Sequence, residues 1–257
     1  MSGIDPTQQS FFQYHQSKLI TIPHGMFNRC NGFSLPPFSS LNFSYGVGDD
    51  PQLVTTNRRQ VKKALNISFL LSANQTHGKK IYCGSDITSD KEVDDYDALI
   101  TNQRGVGLLI QQADCQAILI HDPTKQVIAA IHCGWRGSSE NIIGSTIAKM
   151  MQRYQTDPKT VLATISPSLG PCCAEFINYE QELPKQLHQF QHKAYYFNFW
   201  DMSTTQLVKA GVAAKHIDAT RICTACNHDY FSYRRTSKRN GEITTGRNGS
   251  LICLPLT

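Results

Sequence analysis

Three residues of metal-ligand type stand out in the chain: His77 in NQTHG, Cys115 in ADC and His132 in IHCGWRG. Taken as one site, two imidazoles and one thiolate match the ligand count of a catalytic zinc that keeps a position open for water. The same set is the equatorial shell of a blue-copper centre, so ligand types alone leave copper open. A thiol activated by an imidazole is also a metal-free nucleophile, which adds a Cys-His hydrolase. The three are far apart in sequence and no short metal-binding spacing joins them. Spacing therefore also permits two hydrogen-bonded structural histidines and a buried thiol with no common role.

Elements must bring such residues together. Residues 105–137, GVGLLIQQADCQAILIHDPTKQVIAAIHCGWRG, read as two apolar strands joined by a His-Asp-Pro turn, with Cys115 on the first strand and His132 on the second. Successive strand side chains face opposite ways. Cys115 is thus expected to share a face with Ala117 and Leu119 while Asp114 points away. By the same rule His132 and Cys133 cannot both reach one site, and Cys133 reads as a small buried hydrophobe. His121 in the turn reads as solvated.

Upstream, ISFLLSANQTHG reads as a strand that delivers Gln75 and His77 at its end. PQLVTTNRRQVKKALN, 51–66, reads as a helix with Pro51 in its first turn, Asp49 or Asp50 as cap, and Val54, Val61 and Leu65 inward. Before it, LITIPHGMF suggests a strand. NRCNGFSLPPFSSLNFSYGVGDD suggests a loop with Asn42 and Asp49 as its polar candidates. DDYDALIT reads as a turn into a strand. Residues 138–152 read as an amphipathic helix capped by Ser138 or Ser139, with Ile143, Ile147, Met150 and Met151 on one side. TVLATISPSLGPCCAEF suggests a strand and turn, ELPKQLHQFQ and STTQLVKAGV suggest helices, and strand-like aromatic runs precede a closing LICLPL.

Composition bounds the class. The chain has 257 residues, 40% hydrophobic and 18% charged, as in an ordinary globular protein. Residues 1–18 are polar and Gln/Ser-rich and read as a loosely held extension; 19–257 reads as one mixed α+β domain without internal repeats. A net charge of +5 permits an anionic substrate without demanding nucleic acid. No secretory signal is visible, and no apolar run approaches the roughly 20 residues of a membrane span, so a cytoplasmic protein is expected. Nine cysteines is an odd count, read as free thiols in a reducing compartment. CTAC at 223–226 has no second pair at finger-like spacing, and Cys172 and Cys173 are adjacent, which argues against a structural four-cysteine zinc. Arg234, Arg235, Lys238, Arg239 and Arg247, interleaved with Tyr230, Phe231 and Tyr233, fit nucleic acid, a solvated strand face or a phosphate clamp.

In order along the chain, NQTHG, DALIT, GLLIQQADCQAILIHD, AAIHCGWRG, the LGPCC segment, CT followed by YFSYRR, and TGR resemble the YfiH/YlmD-like family. That family is variously called laccase-domain, multicopper polyphenol oxidoreductase or purine nucleoside phosphorylase. The resemblance spans roughly residues 20–255, and ADC with HCGWRG carries most of its specificity. It implies a single zinc held by His77, Cys115 and His132. It also implies an α+β fold, a single domain with a two-sheet β-sandwich core flanked by helices. Three places depart from the family pattern: Cys133 where Ala is usual, Cys30-Asn31 with Phe33 in a loop that usually reads Gly-Gly-Val, and AEF around Glu175 where Tyr-Glu is common.

The activity the resemblance implies is zinc-dependent phosphorolysis of adenosine, inosine and methylthioadenosine, together with adenosine deamination. Its partners would be purine nucleosides and phosphate, with no nucleic acid, no membrane, and monomer and homodimer both open. Zinc lowers the pKa of bound water to about 7, which suits attack on the purine C6. The His-x-Glu and Pro-Cys-x-x-Cys signature of ordinary zinc nucleobase deaminases is absent, so Asp114 or Glu175 would have to carry the proton. Arg58 and Arg235 are the candidates for a phosphate clamp, and Asn42, Gln75 and Asp114 for further substrate contacts. Two rivals stand. A copper polyphenol oxidase suits the laccase name, but the chain has nine histidines and no His-x-His pair. A Cys-His or zinc hydrolase that edits peptidoglycan precursors suits the other role reported for the family.

Overall fold

The computed structural model describes residues 12–240 and 244–256, without the side chains of 238–240. In chain order the strands are β1 Tyr14–His15, β2 His24–Phe27, β3 Phe69–Asn74, β4 Ile81–Cys83, β5 Lys91–Asp94, β6 Ala98–Thr101, β7 Val106–Gln112, β8 Gln116–Asp122, β9 Val127–Cys133, β10 Leu162–Ile165, β11 Gln191–Lys193, β12 Tyr196–Phe197, β13 Ile217–Ala219 and β14 Asn248–Cys253. The helices are α1 Pro51–Ala64, α2 Trp135–Ser139, α3 Ile142–Tyr154, α4 Tyr179–Glu182, α5 Phe199–Lys209 and α6 Tyr233–Asn240.

Two six-stranded sheets make the body, ordered β1-β2-β14-β7-β3-β5 and β13-β10-β8-β9-β6-β4, while β11 and β12 form a small separate ribbon. Period-two alternation explains the layers. On β7, Leu108 and Ile110 face Ala117, Leu119 and Ala130 of the second sheet, whereas Leu109 joins Val61 of α1 and Leu65 just after it on the outer side. On the far side of the second sheet, Ile118, Ile120 and Ile131 pack against Ile143, Ile147 and Met150 of α3 and Leu207 of α5. The order is helix, sheet, sheet, helices. Each fully buried Leu or Ile contributes about 1.5–3 kcal/mol through area removed from water, so the packed faces, not the short strands themselves, hold the sandwich together.

The expected helix at 51–66 is α1, with Asp50 accepting from the Gln52 N–H and Pro51 in the first turn. Other expectations need correction. The run written as one strand through ADC is two, and they lie in different sheets. β7 ends at Gln112, Asp114 takes a left-handed backbone (φ +80°), and β8 starts at Gln116 across the sandwich. His121 is buried within β8 rather than solvated in a turn. The helix expected at 138–152 is split, with Asn141 in a left-handed conformation (φ +53°) capping α3 through the Gly144 N–H. ELPKQLHQFQ forms a short α4 end and a 3₁₀ turn. YFSYRR enters α6 instead of a strand, because the Ser232 hydroxyl accepts from the Arg235 N–H as a helix cap does. Part of the stretch 1–18 lies outside the described residues, but from residue 12 on it is held: Phe12 is buried and Tyr14–His15 pairs with β2.

A candidate metal centre at the end of the sandwich

His77, Cys115 and His132 come from three different parts of the fold. His77 follows the end of β3 in the first sheet, His132 is the penultimate residue of β9 in the second, and Cys115 sits on the link that crosses between the sheets. The β8–β9 register sets Ala117 opposite His132, which brings the start of β8, and so Cys115, to the end of β9. The ligand atoms of all three lie within 4.8 Å of one another. The two imidazole rings meet edge to face at 78°. His77 is exposed, Cys115 half-buried and His132 buried, so the centre opens to one side.

One carboxylate organises the arrangement. Asp97 directly precedes β6, and the antiparallel pairing of Ala98 with Ile131 sets it beside His132. Its main-chain oxygen accepts from the His132 N–H at 2.7 Å. Its Oδ1 lies 2.7 Å from His132 Nδ1 and accepts from the His77 N–H at 2.9 Å, and its Oδ2 accepts from the Gly78 N–H at 2.7 Å. These bonds fix His77 in its left-handed conformation (φ +62°). An Nδ1–H bond to a carboxylate leaves Nε2 free as the metal-binding nitrogen.

Electrostatics favour a cation here. Burial pushes the Cys115 thiol up, but the His132 and His77 imidazoles outweigh it and bring it down to about 6. Burial pulls His132 down, but the Cys115 thiolate and Asp97 outweigh it and raise it to about 9. Burial alone would raise the Asp97 carboxyl, yet His132 and the N–H donors hold it below the usual carboxylate range. One thiolate and two oriented imidazoles, gathered within one ion's reach, fit a metal. The Gly of HCGWRG makes the room: a Cβ on Gly134 would stand 3.0 Å from Cys115 Sγ and 3.2 Å from His77 Cδ2. Cys133 turns the other way, into the core, with its Sγ 3.3 Å from Ser138 Oγ.

The centre lies on the wall of a cavity of about 890 Å³, within the usual range for small-molecule sites. Tyr45, Glu92 and Trp135 line it, and so do Phe176, Tyr233 and Arg247. Trp135 meets Phe176 edge to face with centroids 6.4 Å apart.

Of the other residues expected from sequence, Gln75 and Asp114 line this cavity, while Asn42, Arg58 and Arg235 are absent from its lining. Gln75 is pinned to the Gln111 backbone by two hydrogen bonds. The Asp114 carboxylate accepts from Thr224 and Ser232 hydroxyls and from the Arg234 N–H, and so anchors the start of α6. Asn42 binds Asp49 and the Arg247 N–H, which staples the loop before α1 to the C-terminal segment. Arg58 is buried, paired with Glu92 at 2.8 Å and stacked under Tyr45. Arg235 donates to the carbonyls of Thr224, Ala225, Asn227 and Tyr230. Arg234 likewise serves Cys173 and Glu175 carbonyls. These bonds account for two members of the basic cluster, Arg234 and Arg235, as internal braces; the side chains of Lys238 and Arg239 lie outside the described residues. Sequence reasoning missed Asp97, Glu92, Trp135 and Arg136, and named Arg247 only within the basic cluster. Trp135 and Arg136 were legible, since they sit in the glycine-flanked GWRG. Burial lifts the Glu92 carboxyl, but Arg58 and Ser72 outweigh it and keep Glu92 acidic.

Four of the remaining cysteines also meet, contrary to what their spacing suggests. Cys172, Cys173, Cys223 and Cys226 converge, their sulfurs all within 4.8 Å of one another. No helix among the described residues is long and apolar enough to cross a membrane.

Comparison with known proteins gives the chain its relatives. Residues 23–255 match a family described as multi-copper polyphenol oxidoreductase laccase. The chain is 30% identical over 239 residues to "Purine nucleoside phosphorylase SCO2081" of Streptomyces coelicolor, covering 90% of this chain and 94% of the relative. The crystal structure of YlmD from Geobacillus stearothermophilus superposes with a TM-score of 0.79 at 28% identity, covering 90% of this chain and 91% of that one. That of the Bacillus licheniformis hypothetical protein YfiH gives 0.81 at 27%, covering 90% and 92%.

Proposed function

The chain belongs to the family described as multi-copper polyphenol oxidoreductase laccase, and we propose that within it this protein is a zinc-dependent purine nucleoside phosphorylase. Its substrates are adenosine, inosine and methylthioadenosine with phosphate, and the same centre deaminates adenosine. The observation that carries the reading is the one-sided His77–Cys115–His132 centre on the wall of a nucleoside-sized cavity, in a chain whose relative is named for that activity.

His77, Cys115 and His132 would hold the zinc, which when bound supplies a Lewis acid and activates water. The chain's own side chains do the rest. Trp135, Phe176 and Tyr233 offer aromatic faces for a purine ring. Glu92, kept ionised by Arg58, accepts hydrogen bonds from ribose hydroxyls. Arg136 and Arg247 supply the cations for phosphate in place of Arg58 and Arg235, which are spent elsewhere. In phosphorolysis a phosphate oxygen attacks ribose C1′ as the bond to the purine nitrogen breaks. The departing base takes a proton, leaving ribose 1-phosphate. Glu175, on the cavity wall, is the carboxyl for proton transfer, including the transfers of deamination. Neither cluster of metal-type ligands among the described residues holds more than two histidines, which does not suit multicopper chemistry.

Adenosine incubated with metal-quantified protein, with and without phosphate, separates the activities. Adenine that appears only with phosphate supports the phosphorylase. Inosine formed without phosphate supports the deaminase. Adenosine left intact by a zinc-loaded protein overturns the nucleoside reading and turns attention to amide substrates.

A further inference from the structure

A second group of soft ligands lies away from the cavity-wall centre and plays no part in the chemistry above. β10 and β13 pair in parallel, Ala163 with Ile217 through Ile165 with Ala219, so their C-terminal ends emerge side by side. The pairing continues past the strands: the Ser168 N–H donates to the Ile222 carbonyl and the Thr224 N–H to the Ser168 carbonyl, both at 3.0 Å. LGPCC follows one strand and CTAC the other. Parallel topology therefore assembles four thiols that linear spacing keeps apart.

The distances distinguish what these thiols form. Cys172 Sγ and Cys173 Sγ each lie 3.5 Å from Cys226 Sγ. A disulfide brings sulfurs to about 2.0 Å. A tetrahedron of sulfurs at about 2.3 Å from zinc has edges of about 3.8 Å, close to what is seen. A backbone donor also points at the cluster, the Gly170 N–H at 3.3 Å from Cys223 Sγ, a contact that favours a thiolate. That approach requires glycine, since a Cβ at Gly170 would stand 3.0 Å from Cys223 Cβ and 2.7 Å from the Trp200 ring. Cys172 and Cys226 are exposed, so an ion can enter from solvent.

We propose that Cys172, Cys173, Cys223 and Cys226 bind a second zinc ion in a closed, four-thiolate structural site. Four protein ligands leave no open position, so the site does no chemistry. It joins two turns that carry the outer wall of the cavity. Leu169 and Phe176 flank the first pair of cysteines. Thr224, between the second pair, donates to Asp114 beside Cys115 at 2.6 Å. The Arg234 guanidinium closes the same unit on the Cys173 and Glu175 carbonyls.

Zinc analysis of the full-length protein tests this directly. Wild type is expected to hold two zinc ions per chain after incubation with zinc and desalting, with X-ray absorption giving an average of about 2.5 sulfurs per zinc. Cys115→Ala is expected to keep one zinc ringed by four sulfurs at about 2.3 Å. Cys223→Ser/Cys226→Ser is expected to keep one with mixed nitrogen and sulfur ligands. Should either variant fail to fold, the wild-type stoichiometry and sulfur average decide alone. One zinc per wild-type chain with fewer than four sulfurs around it, or an intact mass showing a disulfide among these four cysteines in the zinc-treated protein, overturns the proposal.

Discussion

The described residues hold two clusters of soft ligands, and their surroundings differ more than their sulfurs do. At the end of the sandwich, three ligands come from the ends of both sheets and from the link between them, with Asp97 orienting His132 and one side open to a cavity. At the edge of the second sheet, four thiols come from two turns, with a backbone N–H on Cys223. Three oriented ligands with a vacancy are built to react; four that close a tetrahedron are built to hold. Their positions in the fold differ too: the first set sits where sheet ends and a crossing link meet, the second on two turns that follow paired parallel strands.

The largest contrast is expected from Cys115→Ala. It removes a ligand of the reactive centre and is expected to lower nucleoside turnover by on the order of 10³-fold, several kcal/mol of transition-state stabilisation. Steady-state rates with inosine and phosphate measure it, and a variant within tenfold of wild type would separate the activity from this centre. Asp97→Asn keeps the shape but loses the charge behind His132, so zinc affinity there is expected to fall by about 10–100-fold, read by chelator competition.

Cys223→Ser/Cys226→Ser acts on the other cluster. Its effect is expected on stability, a lower Tm that added zinc no longer raises, because metal binding to a site absent from the unfolded chain is folding free energy. Melting curves with and without zinc separate this from simple lost packing.

Protons give a finer test of the reactive centre. Without metal, Cys115 titrates near 6 and His132 near 9, so between those values the pair is thiolate and imidazolium. From this pair zinc must then displace about one proton, on His132; below pH 6 it must displace about two from the pair, and above 9 none. The pair's contribution to the logarithm of zinc affinity should therefore rise with pH at a slope of about one between the two values and about two below them. Calorimetry in buffers of different ionisation enthalpy reads the proton count. The smallest effect belongs to Cys133→Ala, beside a ligand yet facing the core: metal content unchanged, and stability lower by about 1 kcal/mol or less in denaturant titration.

Much of this layout was legible before any coordinates. Hydrophobic runs located β3, β7, β8 and β9, cap chemistry located α1, and ligand types singled out His77, Cys115 and His132. The crossing at Ala113–Cys115 was not read: Gln111, Gln112, Asp114 and Gln116 interrupt the apolar run there, but a polar break does not show that one left-handed residue, Asp114, carries the chain to the other sheet. Asp97 was hidden among the neighbouring acids Asp94 and Asp95, and only the pairing of β6 with β9 buries it beside His132. Arg58 and Arg235 looked like anion binders because a sequence shows charge but not which carbonyls or carboxylates consume it. The four cysteines looked unrelated because parallel strands join turns that are far apart in the chain. In each case a non-local contact decided the role.

The most direct test of the central assignment is phosphate-dependent release of hypoxanthine from inosine by zinc-loaded, zinc-stripped and zinc-restored protein. Release that requires phosphate, yields ribose 1-phosphate, disappears on stripping and returns with zinc is the expected result. Release that survives stripping, or that proceeds equally without phosphate, would contradict a zinc-dependent phosphorylase at His77, Cys115 and His132.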